Sequence, residues 1–488
     1  MDTDRFESDV RAMVKAFYPR EALYVHAKVS RVVQQKEPGE DEPVKLHLVI
    51  CFEEEWIRLS VREYGVTEKI ATSRTDEGKQ KNDLKKLLYT ALSRITGQNL
   101  PWGTLTGIRP TKLLIQAMEQ GMSQEELGRK MKQEYLISDE KLALGTEVAK
   151  RERRILSKVE SGEGYSLYVH VPFCPTTCLY CSFTSFPESA YRERMDEYVD
   201  AVIRELAFLS ENTKHLELNS IYFGGGTPTT LTAGQLSRLI GFIRERFDCS
   251  HVLEFTVEAG RPDSITEEKL KVLKQLGVTR LSINPQTMQQ KTLDLIGRRH
   301  TVEQIREAFF LARECGFDNI NMDLILGLPG ETAADVEDTL QQIAQLKPDN
   351  LTLHCLARKH NARLNLEKEK YKDLTFADTT ESMKLATGFA RKMGMVPYYL
   401  YRQKSIADNQ ENIGFAPEGK EGLYNILIME ERQSILSVGA GAITKLVTTP
   451  GKLRERVENV KDVDAYLNRT EEMIQRKYDA MKRCGILK

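Results

Sequence analysis

Residues 168–183 read Tyr168-Val-His170-Val-Pro-Phe-Cys174-Pro-Thr-Thr-Cys178-Leu-Tyr-Cys181-Ser-Phe183, and this stretch decides the fold. Its first half closes a short apolar strand, Ser166–Val171, and its second half sets three cysteines at C-x3-C-x2-C spacing. Three thiolates are one ligand short of a structural zinc site, which takes four; His170 sits in the strand, and neither Ser182 nor Phe183 is a thiolate or imidazole. A [4Fe-4S] cluster held by three cysteines, with one iron left open to a substrate or cofactor, matches the donor count. Such a loop directly after a strand lies where parallel barrels place their chemistry, at the C-terminal strand ends.

Working outward, short apolar strands alternate with amphipathic helices, the pattern of βαβ units on a parallel sheet. The strands fall at Ser166–Val171, Ser220–Phe223, Leu253–Val257, Arg280–Ile283, Asn319–Leu324 and Asn350–Cys355. The helices fall at Glu193–Leu209, Ala233–Phe247, Glu267–Leu276, Val302–Cys315 and Ala333–Leu346. Six such units predict an α/β fold, a barrel or partial barrel rather than an open sheet, over residues 161–360. Before it, residues 1–160 read as an α+β domain with strand-like runs at Leu23–Val33 and Val44–Phe52, bounded by the Gly-rich Ser161-Gly-Glu-Gly164. Within it, Trp102-Gly-Thr-Leu-Thr-Gly-Ile-Arg-Pro110 reads as a turn opening a helix at the proline. After the barrel, residues 361–488 form a C-terminal α+β extension, with helical pattern at Asp378–Met393 and Val463–Arg483, an aromatic run Tyr398–Tyr401 and a Gly-Ala loop at Val438–Ile443.

The chain has 488 residues, with Lys+Arg 70 against Asp+Glu 71 and a formal charge of -1. That balance argues against general nucleic-acid binding, which needs a basic footprint. No stretch approaches the roughly 18 consecutive apolar residues of a membrane span. The acidic start, MDTDRFESDV, lacks secretory signal features, so the cytoplasm is the expected compartment. Cys51, Cys249, Cys315, Cys355 and Cys484 are scattered singly and read as small buried apolar residues.

Polar residues recur at the strand ends. Gly224-Gly225-Gly226-Thr227-Pro228 follows the second strand, where absent side chains let backbone approach a ligand. Glu258 ends the third strand, Gln286 follows the fourth, Arg298 lies in Ile-Gly-Arg298-Arg-His300, and Asp323 sits in the fifth. Arg358, Lys359, His360 and Arg363 follow the sixth strand and Arg402 follows the tyrosine run; they read equally as contacts to an anionic ligand or as a solvated basic loop.

With these residues in view, the chain resembles the radical S-adenosylmethionine (SAM) superfamily, in its oxygen-independent coproporphyrinogen III oxidase branch and the HemZ-like subgroup. Tyr168-x-His170-x-Pro-Phe-Cys174 and Gly225-Gly-Thr-Pro228 carry the likeness, which spans most of residues 165–450. It implies a partial (β/α)6 TIM-like barrel, a [4Fe-4S] cluster on Cys174, Cys178 and Cys181, and two SAM molecules. Tyr168, Gly225 and Glu258 match contacts to the cluster-bound SAM, with Ile443 a further one. Gly226, Thr227, Gln286, Arg298, Asp323 and Ala357 match contacts to the second. The implied reaction converts two propionates of coproporphyrinogen III to vinyl groups, giving protoporphyrinogen IX. The implied partners are that tetrapyrrole and a low-potential electron donor such as flavodoxin or ferredoxin.

Two positions depart from the branch pattern. Phe183 stands where the oxidases have a fourth cysteine, and Asn284-Pro285 replaces a Gly-Val before the glutamine. Haem chaperones of the HemW type share the three-cysteine motif and also lack the fourth cysteine. Their His-Asn-x-x-Tyr-Trp segment has no equivalent in Tyr398-Tyr-Leu-Tyr-Arg-Gln-Lys-Ser405.

Overall fold

The structure is a computed structural model that describes every residue except 1–4, 20, 22, 26–45, 108, 160–163, 358, 360, 372–373, 375, 404–408 and 488. The chain divides into two compact units, Met1–Glu147 with Tyr401–Glu411, and Val148–Leu400 with Asn412–Lys488.

In the first unit, an antiparallel meander of β1 (Leu48–Phe52), β2 (Trp56–Val61) and β3 (Val66–Ala71) packs with helices Glu7–Phe17 and Glu77–Thr96. Period-two burial along β2 sends Ile57, Leu59 and Val61 into a core shared with Val10, Met13, Phe17, Leu84 and Leu88. Sequence reading found β1 but not its two partners, β2 and β3. Of the expected strand Leu23–Val33, residues 23–25 carry no strand and the rest lies outside the described residues, as do residues 44–45 of the second run. The Trp102 turn leads into helix Thr111–Glu119 at Pro110. Here the indole Nε1 donates to Glu411 Oε2 at 2.8 Å, and Lys141 Nζ lies 2.6 Å from Glu411 Oε1 in the same buried knot.

The second unit is built on an 11-stranded sheet. Its core strands are β4 (Gly164–Val171), followed after the two-residue pair β5 (Phe173–Cys174) and β6 (Phe186–Pro187) by β7 (Glu217–Gly225), β8 (Glu254–Glu258), β9 (Arg280–Ser282), β10 (Ile320–Leu326) and β11 (Asn350–Cys355). All six run parallel in sequential order, with helices in the crossovers, forming a partial TIM-like barrel. Beyond β11 lie β13 (Asn412–Ala416) and, after it in the sheet, β12 (Val396–Tyr401); beyond β4 lie β14 (Ser434–Val438), β15 (Ile443–Thr449) and β16 (Lys452–Glu458).

Local chemistry fixes where the crossover helices begin. Ala233–Arg246, Val302–Glu314 and Ala333–Leu346 each start at a threonine, Thr232, Thr301 and Thr332, whose hydroxyl accepts from the third helical amide while the Gln or Asp there returns the bond. Each such cap contributes about 1 kcal/mol. Strand alternation then separates two faces. Leu167, Val169, Ile221, Phe223, Phe255, Val257, Leu281, Met322, Leu324, Leu351 and Leu353 are buried at alternate positions. The intervening positions carry hydrogen-bonding side chains that join from strand to strand. Ser166 meets Ser220 at 2.7 Å, Asn321 donates to Ser282 at 2.8 Å, and Thr352 donates to Asn321 at 2.9 Å. This face therefore suits a polar ligand at its C-terminal end better than a sealed apolar core.

Candidate active site

The cysteine loop runs from β5 to β6, which pair in parallel and pin its ends. Cys174, Cys178 and Cys181 are all half-buried. The amide of Leu179 donates to the Ile296 carbonyl at 2.9 Å and the Thr176 hydroxyl to the Gly297 carbonyl at 2.7 Å, so the loop is tied to the turn after β9. Thr227 Oγ1 donates to Cys174 Sγ at 3.6 Å. Burial raises the Cys174 thiol, and it pushes Cys181 up to about 11, while Arg298 opposes both. Left alone these thiols stay protonated near neutrality; a coordinated metal deprotonates them outright.

Among the described residues no group of three or more His, Cys, Asp or Glu gathers around a single ion. A [4Fe-4S] cluster takes one thiolate per iron, so three cysteines leave one iron open. The buried guanidiniums of Arg261 and Arg298 beside the loop offset the negative charge three thiolates would bring. Donor set and surroundings thus fit an iron–sulfur cluster.

Next to the cysteines, β7 ends in the glycine turn. The Gly226 amide donates to the Val171 carbonyl at 2.8 Å and the Thr227 amide to the Phe173 carbonyl at 2.7 Å. Gly225 has φ of 112°, and a Cβ there would lie 2.5 Å from the His170 ring; one on Gly226 would lie 2.6 Å from the Phe173 carbonyl oxygen. Burial pushes His170 down to about 4, leaving a neutral ring at neutral pH. From the other side, the Gly439–Ala442 loop crosses His170 and leads into β15, whose first residue, Ile443, is exposed. That loop is held from behind by buried Glu205, which accepts from the Gly439 amide at 2.7 Å and from Tyr466 at 2.6 Å and pairs with Lys477.

Glu258 at the end of β8 accepts from Tyr222 at 2.6 Å, and Tyr222 belongs to a ring stack with Tyr168 and Tyr424, at centroid distances of 6.1 and 4.3 Å. Burial raises Glu258 to about 7, with Asp323 pushing the same way and Tyr222 opposing. Asp323 goes the other way: burial alone would raise it, but His354, Asn321 and Thr352 outweigh burial and hold it below the usual carboxylate range. The His354 Nε2 lies 3.7 Å from Asp323 Oδ2 and the Asn321 amide donates at 2.7 Å. Gln286 adopts φ of 67°, its amide donates to the Asp323 carbonyl at 2.9 Å, and its buried Oε1 has no partner among the described residues.

Gly225, Gly226, Thr227 and Glu258 therefore lie at strand ends near the cysteine loop, whereas Tyr168 lies inside β4, Gln286 four residues past β9 and Asp323 in the middle of β10. Arg298 is buried against Cys178 and Tyr180, its Nη1 donating to the Asn284 carbonyl at 2.5 Å and Nη2 to Gly260 at 3.2 Å. Ala357 lies half-buried two residues past β11. Arg358 and His360 lie outside the described residues; Lys359 is half-buried, and exposed Arg363 bonds Glu367 one helical turn on. Arg402 is corrected: it is 4% exposed, and its guanidinium clamps the carbonyls of Leu105, Asn409 and Gln410, so it holds a loop and is not offered to a substrate. Sequence reading named His170 only as a residue of the strand and its signature, and missed Tyr222, Tyr424 and Arg261. Tyr222 was legible, since it alternates with Ser220 and Gly224 on the polar face; Tyr424 comes from a distant helix and had no such signal.

A parallel barrel with three cysteines past its first strand, a glycine turn at the end of its second, a carboxylate closing its third and another within its fifth defines the class of cluster-bearing radical barrels. The Radical SAM superfamily profile matches residues 168–343. The chain is 40% identical over 395 residues to the oxygen-independent coproporphyrinogen-III oxidase-like protein HemZ of Bacillus subtilis, covering 80% of this chain and 79% of that one. It is 38% identical over 192 residues to the haem chaperone HemW of the same organism, covering 39% and 50%. In structure it is similar to coproporphyrinogen III oxidase (HemN) of Escherichia coli, with a TM-score of 0.53 and 25% identity over 66% of this chain and 72% of that one. The chain belongs to the radical SAM superfamily, among the oxygen-independent coproporphyrinogen-III oxidase-like proteins. Membership implies a [4Fe-4S] cluster and SAM. Among the described residues no helix is long and apolar enough to cross a membrane.

Proposed function

We propose that the protein is a radical SAM oxidoreductase that oxidatively decarboxylates two propionates of coproporphyrinogen III to vinyl groups, giving protoporphyrinogen IX without oxygen. The observation that carries this reading is the likeness to HemZ, which extends over 395 residues, well beyond the barrel segment 168–343 that the whole superfamily shares. A shared barrel alone would not favour a substrate, since fold does not fix function.

When bound, the cluster and SAM would supply a 5′-deoxyadenosyl radical able to take a β-hydrogen from a propionate; the carbon radical would lose carbon dioxide and pass one electron to a one-electron acceptor, leaving the vinyl group. Cys174, Cys178 and Cys181 hold the cluster in this reading. Tyr168, Gly225, Glu258 and Ile443 bind one SAM, and Gly226, Thr227, Gln286, Arg298, Asp323 and Ala357 a second. The unpartnered Gln286 oxygen and the ionised Asp323 offer acceptors for ribose hydroxyls or an ammonium. Residues 361–488 cover the substrate side, a low-potential flavodoxin or ferredoxin supplies electrons, and the reaction takes place in the cytoplasm.

A haem-binding chaperone is the second reading. It is favoured by the 38% identity to HemW and by Phe183, which replaces the fourth cysteine and stands 75% exposed on the loop. One anaerobic assay separates the two. Reconstituted protein is given SAM, a low-potential reductant and coproporphyrinogen III, with Cys178→Ala as control. Substrate-dependent 5′-deoxyadenosine with protoporphyrinogen IX, both lost in the variant, is the expected result. Stable haem binding without turnover would sink the oxidase reading in favour of the chaperone.

A further inference from the structure

The contacts around the cysteine loop include a buried cation that none of the cofactor assignments uses. Arg261 lies in the turn after β8 and is 3% exposed. Its guanidinium serves two sides at once. Nε and Nη2 form a fork on Asp263, 3.1 Å from Oδ1 and 3.0 Å from Oδ2. Nη1 reaches Thr176 at its carbonyl oxygen, 3.2 Å, and at its hydroxyl, 3.0 Å. Thr176 stands between Cys174 and Cys178, and its hydroxyl passes the chain of bonds on to the Gly297 carbonyl. Only a planar fork with five donors spans both sides; a lysine ammonium would hold one. The ion pair is thereby polarised, its positive end against the cysteine loop and its negative end turned away. Behind Asp263 sits His300, fully buried, its Nδ1 3.7 Å from Oδ1.

Two consequences follow from charge and geometry. A loop bonded at the residue between two ligands cannot change their spacing without breaking those bonds. Reduction adds negative charge to a cluster, and a cation in a water-poor surrounding stabilises that state more than it would in water. We propose that Arg261 is a positioning residue for the iron–sulfur cluster, fixing Cys174 and Cys178 through Thr176 and raising the cluster's reduction potential. The proposal rests on the cysteine loop holding a cluster, and not on the identity of the substrate.

The test is an anaerobic potentiometric titration of the reconstituted full chain followed by electron paramagnetic resonance, with the rate of iron release to a ferrous chelator as second readout. Arg261→Gln removes the cation and leaves Asp263 behind. Its reduced-to-oxidised ratio at the wild-type midpoint is expected to fall about tenfold, equivalent to 59 mV for one electron. Arg261→Lys keeps the charge and loses the fork, so its midpoint stays while iron leaves about tenfold faster. Asp263→Asn bares the cation and moves the midpoint upward. Wild-type midpoint and wild-type release in both Arg261 variants overturn the proposal, as does an Asp263→Asn midpoint that falls. Should Arg261→Gln fail to fold, judged by thermal unfolding, unchanged iron release in Arg261→Lys or an unmoved midpoint in Asp263→Asn still overturns it. A wild-type chain that assembles no cluster removes this proposal and the cluster reading together, whereas absence of tetrapyrrole turnover touches only the substrate assignment.

Discussion

The turns after β7 and β9 both carry a left-handed backbone, yet one does so with a glycine and the other with a glutamine. At Gly225, φ is 112° and the His170 ring leaves no room for a Cβ. At Gln286, φ is 67° and the side chain is kept, at a backbone cost of about 1–2 kcal/mol. The adjoining carboxylates differ in parallel. Glu258 faces a phenol and a neighbouring carboxylate and is held near 7, whereas Asp323 faces an imidazole and amides and stays ionised. The contrast teaches that the two sides meet a ligand by different means. The β7–β8 side offers bare backbone and a carboxyl poised to change charge; the β9–β10 side offers a fixed anion and a strained side chain whose amide oxygen awaits a donor. Strain retained at a non-glycine residue points to function.

The contrast breaks most sharply at Gly225→Ala. Unfavourable φ and a collision with His170 together cost about 4 kcal/mol, seen as a lowered denaturation midpoint, and SAM binding by calorimetry is lost. Glu258→Gln sharpens it through pH. A carboxyl raised from 4.5 to about 7 contributes fully below pH 4.5 and progressively destabilises the fold as pH rises to 7. The variant is therefore more stable than wild type at pH 8, by up to about 3 kcal/mol, and no more stable at pH 4. Asp323→Asn has the opposite sign: its lowered carboxyl stabilises above pH 3.8 and loses that contribution as pH falls through its folded value, so the variant is weaker at pH 7 and equal in strong acid. Denaturant titrations at three pH values decide both. Tyr222→Phe removes one hydrogen bond from Glu258, costing about 1.5 kcal/mol above pH 7 and less at pH 4, and moving the Glu258 titration, followed by carbon-13 NMR, upward. Smallest is Gln286→Gly, which relieves the backbone and gains about 0.5 kcal/mol after the glycine's extra chain entropy. Its cost appears only in ligand binding, and a destabilised variant would refute the strain.

Much of this was legible before any coordinates. The β11 strand, Asn350–Cys355, and the helix Ala333–Leu346 lie where the alternation of apolar strands and amphipathic helices put them, and the other four crossover helices and five strands differ by a few residues at their ends. Repeating βα units announce themselves locally. The final helical stretch is two helices, Val463–Asn468 and Thr470–Arg483, because Arg469 leaves the helical conformation between them. Strands β13 to β16 were missed, and for β16 the reason is physical: Lys-Leu-Arg-Glu-Arg-Val-Glu is nearly all charged and pairs at the sheet's edge, so little in its sequence marks a strand. The cysteines, glycines and strand-end carboxylates were legible because each follows an apolar strand. Arg261 and Tyr424 were not, since what gives each its role is a partner distant in sequence, Thr176 and Tyr222.

The pairing of β14 with β4 has a bearing on biosynthesis. The first barrel strand gains one neighbour, β7, soon after it is made, but its other edge waits for Ser434–Val438. Those residues leave the ribosome roughly 260 positions after β4, about 13–50 s at ~5–20 residues per second. Throughout that interval a half-made barrel presents an open strand edge beside the cysteine loop, which makes the nascent chain the stage most exposed to aggregation and to premature metal capture.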